Sequence, residues 1–309
     1  MKKVVITGAT GFFGSALTKT LLSRGATVYG IDVNEEKLAA FSRYDHFIPV
    51  TAWFEEYEKI PELIKDKDID VFYHLAWAGG FTTAIRDYKL QMSNAGFAGD
   101  AVVAAYKTGA KKFVYANTYN QYEIINFLES ETFEPRYTCI YSTGKTAASL
   151  ICRTLAHNLG IEYNAALISM PYGENNYSKQ LVNIVINCLN NGEAPKLIEG
   201  NNLYDLVYVQ DIIDALIAIG EKGKNKKEYY VGHRKLKTFK EWMTEIRDEI
   251  APDVILKFGE YKDNQQIDYS KVDLNALYRD TGWECHYELK EKIRGTAQWV
   301  KENMDAIKK

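Results

Sequence analysis

A glycine-rich turn directly after an apolar, β-branched run is the feature that most constrains the fold of this 309-residue chain. The run Val4-Val5-Ile6-Thr7 predicts a buried strand, and Gly8, Gly11 and Gly14 follow it before a helix-like segment. Such a turn brings backbone amides and the positive end of a helix dipole against an anion. We therefore predict a pyrophosphate-binding turn in which Gly8 and Gly11 let the phosphates reach the amides.

The spacing Gly-x-x-Gly-x-x-Gly is one residue longer in its first interval than the commonest dinucleotide fingerprint, so its context matters. A second predicted strand, 27–32, ends in Asp32, where a carboxylate meets the adenine ribose hydroxyls. Residues 33–36 offer two glutamates and no arginine for a 2′-phosphate. The pattern favours NAD over NADP as the cofactor, and Phe12 and Phe13 of the turn are further predicted cofactor contacts. The alternative is an ordinary glycine-rich turn between a strand and a helix.

Apolar strand-like runs alternate with helical periods through the first half of the chain, which is typical of a parallel sheet. Strands are predicted near 4–8, 27–32, 46–50, 70–76, 112–118 and 163–168, and helices near 14–25, 35–43, 54–66, 93–109 and 141–160. We predict an α/β fold with a doubly wound parallel sheet of the Rossmann type. Helical periods dominate in the rest of the chain. We therefore predict an NAD-binding domain over 1–168 and a smaller α+β substrate-binding lid over 169–309. The boundary between them is soft, so that segments of either part can contribute to the other.

The composition narrows the classes of partner. A net charge of −3 and a pI near 6.0 leave no basic footprint for nucleic acid. We expect no signal peptide, since only three aliphatic residues separate Lys3 from Thr7 before the glycine turn, and no apolar run is long enough to span a bilayer. The four cysteines are far apart and the five histidines lack metal-ligand spacing, so we expect neither a disulfide framework nor a metal site. We expect a cytoplasmic protein without membrane or nucleic-acid partners.

A hydroxyl and a Tyr/Lys pair are the candidates for chemistry. Thr118 ends a predicted strand, and Tyr141 and Lys145 lie four residues apart at the start of a predicted helix, so they share one helix face. A nearby ammonium lowers a tyrosine pKa from about 10 toward neutrality, as a general acid or base requires. The alternative is a solvated lysine at the start of a surface helix.

Together these motifs resemble those of the extended short-chain dehydrogenase/reductases, the nucleotide-sugar epimerase/dehydratase family. The resemblance spans essentially the whole chain and rests on Gly8, Gly11, Gly14, Asp32, His74-Leu75-Ala76, Asn94, Thr118, Tyr141, Lys145, Tyr172-Gly173, Asp205, Asp211 and Thr281-Gly282-Trp283.

The resemblance implies a role for each matching residue. Tyr141 would be the catalytic acid/base, Lys145 would hold the nicotinamide ribose and tune the tyrosine, and Thr118 would hydrogen-bond the reacting sugar oxygen. Further cofactor contacts would come from Leu75, Ala76 and Asn94. Further substrate contacts would come from Asp205 and, by its chemistry alone, from Lys179, for which a solvated side chain is the alternative.

Departures from the family pattern narrow the reaction. Members that eliminate water across C5 and C6 of the sugar usually have an Asp-Glu pair after the Ser/Thr, where this chain has Tyr119-Asn120. A 4,6-dehydratase is therefore disfavoured. Met170 and Tyr204 replace an Asn and an Arg that commonly contact the substrate pyrophosphate, which leaves the usual phosphate clamp in doubt.

We thus expect NAD-dependent chemistry at C4 of a nucleoside-diphosphate sugar. A 4-epimerase is favoured over a 4-keto reductase because Asp32 points to NAD and such reductases usually use NADPH. A catalytically inactive NAD- or nucleotide-sugar-binding regulatory module is a more distant alternative. The run 95–106 carries one charge, which indicates a helix with a second buried face. The resemblance implies a homodimer in which this helix and 141–160 pair with their symmetry mates; burial under the chain's own loops is the alternative.

Overall fold

A computed structural model describes residues 1–80, 82–262 and 267–308. The described strands are β1 (Lys3–Thr7), β2 (Thr27–Asp32), β3 (Phe47–Thr51), β4 (Val71–His74), β5 (Lys112–Thr118), β6 (Glu162–Ile168), β7 (Met170–Tyr172), β8 (Leu203–Tyr204), β9 (Leu206–Tyr208), β10 (Lys227–Val231) and β11 (Lys237–Thr238). The described α-helices are α1 (Phe12–Ser23), α2 (Glu35–Ala39), α3 (Ile60–Leu63), α4 (Tyr88–Lys107), α5 (Gln121–Glu129), α6 (Cys139–Leu159), α7 (Leu181–Asn190), α8 (Val209–Lys222), α9 (Phe239–Ile250), α10 (Ala276–Thr281) and α11 (Leu289–Lys308).

The central sheet has seven parallel strands in the order β10-β6-β5-β4-β1-β2-β3. The strand order reverses between β1 and β4, so the turn after β1 lies beside the loop after β4. Open parallel sheets bind ligands at the carboxyl ends of their strands at such a switch point. The predicted doubly wound parallel sheet is confirmed.

Helices cover both faces of this sheet because its strands are apolar on both sides. On one face, α1 packs its aliphatic side chains against β1 and β2 and α8 packs against β5 and β6, with Leu17 and Ile212 fully buried. On the other face, α4 and α6 pack through small residues such as Ala98 and Ala148. The small residues let these two helices lie close to the sheet and to each other.

The segments after β6 form a second, smaller core. Helices α7, α9 and α11 bury Ile186, Trp242 and Ile293 against one another. This part also contains two short sheets, β7 with β9 and β8 with β11, which are separate from the central sheet. No helix in the described ranges is both long and apolar enough to cross a bilayer.

The six predicted strands are all present, each within two residues of its predicted ends. The seventh strand, β10, lies beyond the predicted boundary at residue 168 and pairs with β6. The division into domains at that boundary stays a prediction. The helix predicted over 54–66 is instead a 3₁₀ helix, Phe54–Lys59, followed by the four-residue α3, because Pro61 lacks the amide that a continuous helix needs there. Helix α5 was not predicted from the sequence.

Candidate active site

A cavity of about 1080 Å³ lies at the carboxyl ends of the central strands. It extends from the glycine turn and the end of β2, past the loop after β4 and the end of β5, to the segment that follows β6. Its volume is at the upper end of the range for small-molecule sites, as expected for a site that holds two ligands.

The glycine turn forms one end of this cavity, with Gly8, Gly11, Phe12, Phe13 and Gly14 all among its lining residues. Gly8 has a φ of 70°, and a Cβ placed there would lie 2.9 Å from the amide nitrogen of Ala76. A Cβ on Gly14 would lie 1.9 Å from the carbonyl oxygen of Gly8. The turn therefore packs against itself and against the loop after β4 too closely for any side chain at these positions.

Helix α1 begins directly after Gly11, so its positive end faces the cavity. Free amides, the helix dipole and a surface without side chains are what a dinucleotide pyrophosphate requires. The turn therefore fits the pyrophosphate of the predicted cofactor.

Asp32 lines the cavity beside the glycine turn. The amide of Thr10 donates to its Oδ2 (3.0 Å), and the amides of Val33 and Asn34 donate to its Oδ1 (2.8 and 3.3 Å). These bonds fix the carboxylate on the glycine turn, and its accessible side remains available for ribose hydroxyls.

Besides Lys19 on α1, two further cations that sequence reasoning missed, Lys37 and Arg43, line the cavity at the end that contains Asp32. Neither lies among residues 33–36, where the sequence analysis looked for a partner of a 2′-phosphate. Helix α2 and the segment after it bring them back to the cavity. Glu55 also lines the cavity, so this end of the cavity contains carboxylates as well as cations.

The loop after β4 supplies the next part of the wall, including Leu75 and Ala76. Asn94 is buried behind this loop: its Nδ2 donates to the carbonyl of Ala78 (2.9 Å), and its Oδ1 accepts from the amide of Ala78 (3.1 Å). Asn94 thus holds the loop in place from α4. Direct contact between Asn94 and the cofactor stays a prediction.

The structure brings Thr118, Tyr141 and Lys145 together on one wall of the cavity. Thr118 ends β5, and its Oγ1 accepts from the amide of Asn120 (3.2 Å). Tyr141 and Lys145 lie in the first two turns of α6, four residues apart. All three are less than a tenth exposed, so a ligand that reaches them is largely desolvated.

The electrostatics of the pair differ from the expectation. Burial raises the pKa of Tyr141 above its ordinary value and lowers the pKa of the Lys145 ammonium to about 7. The expectation that Lys145 lowers the tyrosine pKa was wrong for this arrangement, in which the Lys145 Nζ donates to the carbonyl of Ala116 (2.8 Å) and burial dominates both groups. A charged Lys145 at neutral pH depends on whatever else stabilises its ammonium in the cavity.

Trp77 is the residue of this wall that the sequence analysis missed. It follows Leu75 and Ala76 and lines the cavity. The Lys145 Nζ lies 3.9 Å from the centroid of its ring, and the ring of Tyr141 meets it edge-on at 6.1 Å. No spacing rule in the sequence signals this contact, because it joins the loop after β4 to α6 through space.

The far end of the cavity is lined by neutral side chains. Tyr119 and Asn120, at the position of the Asp-Glu pair of dehydratases, both line it, and so does Met170. Among the described residues that line the cavity, the carboxylates are Asp32 and Glu55, which come from the cofactor end. The end near Thr118 and Tyr141 therefore lacks a carboxylate in the described part of the chain.

Lys179 and Asp205 are not among the described residues that line the cavity. Lys179 is exposed to solvent. Asp205 is buried, where the Tyr230 hydroxyl donates to its Oδ2 (2.7 Å), the His233 amide donates to the same oxygen (2.9 Å), and the His233 ring pairs with its Oδ1 (2.7 Å). Asp205 holds the chain after β10 against β8 and β9, and contact of either residue with a substrate stays a prediction.

A family model described as the NAD-dependent epimerase/dehydratase family matches residues 4–232, which is more than half of the chain. The chain belongs to this family. Its cofactor is NAD, as the sequence predicted. Over 97% of its length, the chain is similar to dTDP-glucose 4,6-dehydratase 1 of Escherichia coli, at 23% identity and with 93% of that protein covered.

Two solved structures have the same fold as this epimerase/dehydratase. A UDP-N-acetylglucosamine 4-epimerase from Methanobrevibacter ruminantium, in complex with UDP-N-acetylmuramic acid, matches with a TM-score of 0.79 at 22% identity, over 98% of this chain and 99% of that one. A UDP-glucose 4-epimerase from Thermotoga maritima, with UDP-glucose, matches with a TM-score of 0.79 at 18% identity and the same coverage of both chains. These likenesses establish the fold.

Proposed function

We propose that the protein is an NAD-dependent 4-epimerase of a nucleoside-diphosphate sugar. The observation that carries the proposal is the single cavity that joins the glycine turn to Thr118, Tyr141 and Lys145. The 4-epimerase structures that share the fold support this substrate class, since one contains UDP-glucose and the other UDP-N-acetylmuramic acid.

The side chains of the cavity wall divide the chemistry among them. Thr118 hydrogen-bonds the C4 oxygen and orients it toward Tyr141. Tyr141 takes the C4 hydroxyl proton and later returns a proton to the C4 oxygen, and a charged Lys145 on the same helix face stabilises the phenolate that this requires. NAD, held at the glycine turn, would supply the acceptor for the C4 hydride and the donor that returns this hydride to the opposite face of the 4-keto sugar.

The far end of the cavity favours this reaction over dehydration. Elimination of water from C5 and C6 requires an acid and a base beside those carbons. Tyr119 and Asn120 occupy the positions at which a dehydratase has carboxylates, and no carboxylate lines this end among the described residues. Oxidation and reduction at C4 need only the three side chains that are present.

The substrate diphosphate is held in a way that departs from the family pattern. Met170 lines the cavity in place of the usual Asn, and Tyr204 packs edge-on against Phe239 while its carbonyl accepts from the indole of Trp242. Tyr204 is thus part of the smaller core. We infer that neutral donors on the segment after β7, including Asn175 and Gln180, bind the diphosphate, because both line the cavity.

The proposal is tested by incubating the purified protein with UDP-, dTDP-, CDP- and GDP-sugars without added cofactor and following the C4 stereochemistry by proton NMR. We expect interconversion of C4 epimers for one nucleotide, since the hydride returns to the sugar. A second set of reactions supplies 4-keto nucleotide sugars together with NADH or NADPH. Conversion in this set alone, with stoichiometric consumption of the reduced cofactor, would identify a 4-keto reductase instead.

Cofactor preference provides a first prediction. NAD should bind more tightly than NADP by at least about 1–3 kcal/mol, because the Asp32 carboxylate accepts from the ribose hydroxyls and repels a 2′-phosphate. Calorimetric titration of the apo-protein with each cofactor measures the difference. Asp32→Ser should reduce the difference in affinity between NAD and NADP, because Lys37 and Arg43 would then face the 2′-phosphate without a carboxylate at the end of β2. Equal or tighter binding of NADP by the unaltered protein would refute the role of Asp32.

We also propose a homodimer built on α4 and α6. Several apolar side chains on these two helices are exposed, and they include Tyr88, Met92, Tyr106, Leu150 and Ile151. Packing of α4 against α6 within the chain therefore leaves part of their apolar surface uncovered. A surface of this kind on neighbouring helices is typical of a two-fold interface.

Light scattering at micromolar concentration should give twice the chain mass of 35.2 kDa. Leu150→Glu, at a side chain 61% exposed on α6, should reduce the mass to that of one chain, because a charge at the interface centre is buried without a partner. The matched control is Ile255→Glu, which places the same charge at a side chain 77% exposed outside these helices and should leave the dimer intact. A monomeric mass for the unaltered protein would exclude the dimer.

A further inference from the structure

Trp77 contacts both side chains to which proton transfer is assigned. The Lys145 Nζ lies 3.9 Å from the centroid of its indole and 4.9 Å from that of the Tyr115 ring, and it donates to the carbonyl of Ala116. The ring of Tyr141 meets the indole edge-on, at 6.1 Å and 85°. The ammonium therefore lies against two aromatic faces, one of which also contacts the phenol.

Among the described residues, Lys145 forms no ion pair with a carboxylate. The titratable groups around it are Tyr141 and Cys152 on α6, Tyr115 on β5 and His74 on β4; burial raises the pKa of the first three and lowers that of His74 to about 3. All four are neutral at pH 7, so the aromatic faces and one carbonyl are what stabilise the charge.

The indole is held in a fixed orientation. Its Nε1 donates to the Oε1 of Gln91 (2.8 Å), and the Nε2 of this fully buried glutamine donates to the carbonyl of Ala84 (3.0 Å). Gly144, between Tyr141 and Lys145 on α6, lets α6 lie close to α4, since a Cβ at this glycine would lie 2.8 Å from the carbonyl oxygen of Gln91 on α4. The contact between α4 and α6 thus sets the position of Gln91, and Gln91 sets the plane of the indole.

We propose that Trp77 is a positioning residue of this active site, whose indole face holds the Lys145 ammonium and whose edge-on contact with Tyr141 fixes the phenol in the cavity. The inference rests on the proposed function, in which Lys145 and Tyr141 act together. Contact with an indole face raises the ratio of the charged to the neutral form of a desolvated amine by roughly 10- to 30-fold. Loss of the indole face therefore removes a large part of the charge that Tyr141 needs.

The test compares Trp77→Leu, which removes the aromatic face, with Trp77→Phe, which keeps an aromatic face but loses the bond to Gln91. NAD affinity of the apo-protein is measured by calorimetry from pH 6 to 9, and kcat and KM are measured with the sugar that the NMR panel identifies. Circular dichroism and thermal unfolding establish that each variant is folded.

For the unaltered protein we expect NAD affinity to fall as the pH rises through about 7, because Lys145 loses its proton there. Trp77→Leu should move this midpoint to lower pH by about one unit and lower kcat about 10-fold or more with KM within about 3-fold. Trp77→Phe should keep the midpoint within about 0.3 unit and kcat within about 3-fold of the unaltered protein.

The proposal would be overturned by an affinity that is flat across this pH range, by a Leu variant with the unaltered midpoint, or by a Phe variant as impaired as the Leu variant. The last result would show that the indole acts only through its volume or its bond to Gln91. If no sugar is turned over, the proposed function fails while the binding midpoints still decide the role of Trp77.

Discussion

Tyr141→Phe should lower kcat by about 10²- to 10⁴-fold, while NAD affinity should change by less than about 3-fold. The substitution removes a hydroxyl that lines the cavity on the same helix face as Lys145. The ring remains, so its edge-on contact with Trp77 and the burial of this region are preserved. Steady-state kinetics with the identified sugar, together with calorimetric titration of NAD, separate the loss of proton transfer from a loss of binding.

Tyr278→Phe is the matched control for this prediction. Tyr278 is 40% exposed on α10 and is not among the described residues that line the cavity, and the substitution removes the same hydroxyl. It should leave kcat and NAD affinity unchanged. Near-normal turnover by Tyr141→Phe would show that another group transfers the proton, and a binding module would then become the better account of the chain.

Gly14→Ala should abolish detectable NAD binding, with at least a 100-fold loss of affinity, and should destabilise the protein by roughly 1–3 kcal/mol. The added Cβ would lie 1.9 Å from the carbonyl oxygen and 2.7 Å from the carbonyl carbon of Gly8. Since both are backbone atoms, the turn itself has to move, and the amides that face the pyrophosphate move with it. Calorimetry with NAD and urea unfolding measure the two effects.

Gly96→Ala provides the comparison. Gly96 is an exposed residue within α4, and a Cβ there meets no atom of the chain within 4 Å. This substitution should keep NAD affinity and raise the free energy of unfolding by up to about 1 kcal/mol, because alanine favours the helix. If Gly14→Ala bound NAD as tightly as Gly96→Ala, the glycine turn would not be the pyrophosphate site.

Most of the central sheet could be predicted because its strands are continuous apolar runs that each lead into a helix. The strand β10 could not be assigned to the sheet, because the sequence shows only a short apolar run at 229–231 and its partner lies far away along the chain. In the structure, Lys227 pairs with Asn164 and Val231 with Ile168. Such pairing depends on tertiary contacts that no local pattern records.

Helix α5 was missed for a different reason. Its sequence is rich in β-branched and aromatic residues, such as Tyr122, Ile124, Ile125 and Phe127, which favour strands in the absence of other information. The chain turns into this helix directly after Tyr119 and Asn120, and the buried side chain of Ile124 packs against Phe133 and Cys139. The packing, rather than local propensity, determines the helix.

The candidate site was predictable where its residues stand at fixed spacings. The glycine turn, Asp32 and the pair Tyr141 and Lys145 could be identified this way, and the structure places them around one cavity. Trp77 and Arg43 belong to no sequence motif, and only the tertiary fold brings them to the cavity. The raised pKa of Tyr141 was likewise unpredictable, because it follows from burial of the phenol rather than from the neighbouring lysine.

The most direct test of the proposed 4-epimerase uses a nucleotide sugar that carries deuterium at C4. After incubation with the purified protein and no external reductant, the account predicts a C4 epimer in which deuterium remains on C4, because the hydride leaves and returns to the same carbon. A 4-keto-6-deoxy product with deuterium on C6 would contradict the account and identify a dehydratase. Recovery of only the unreacted deuterated sugar with all four nucleotides would also contradict the account.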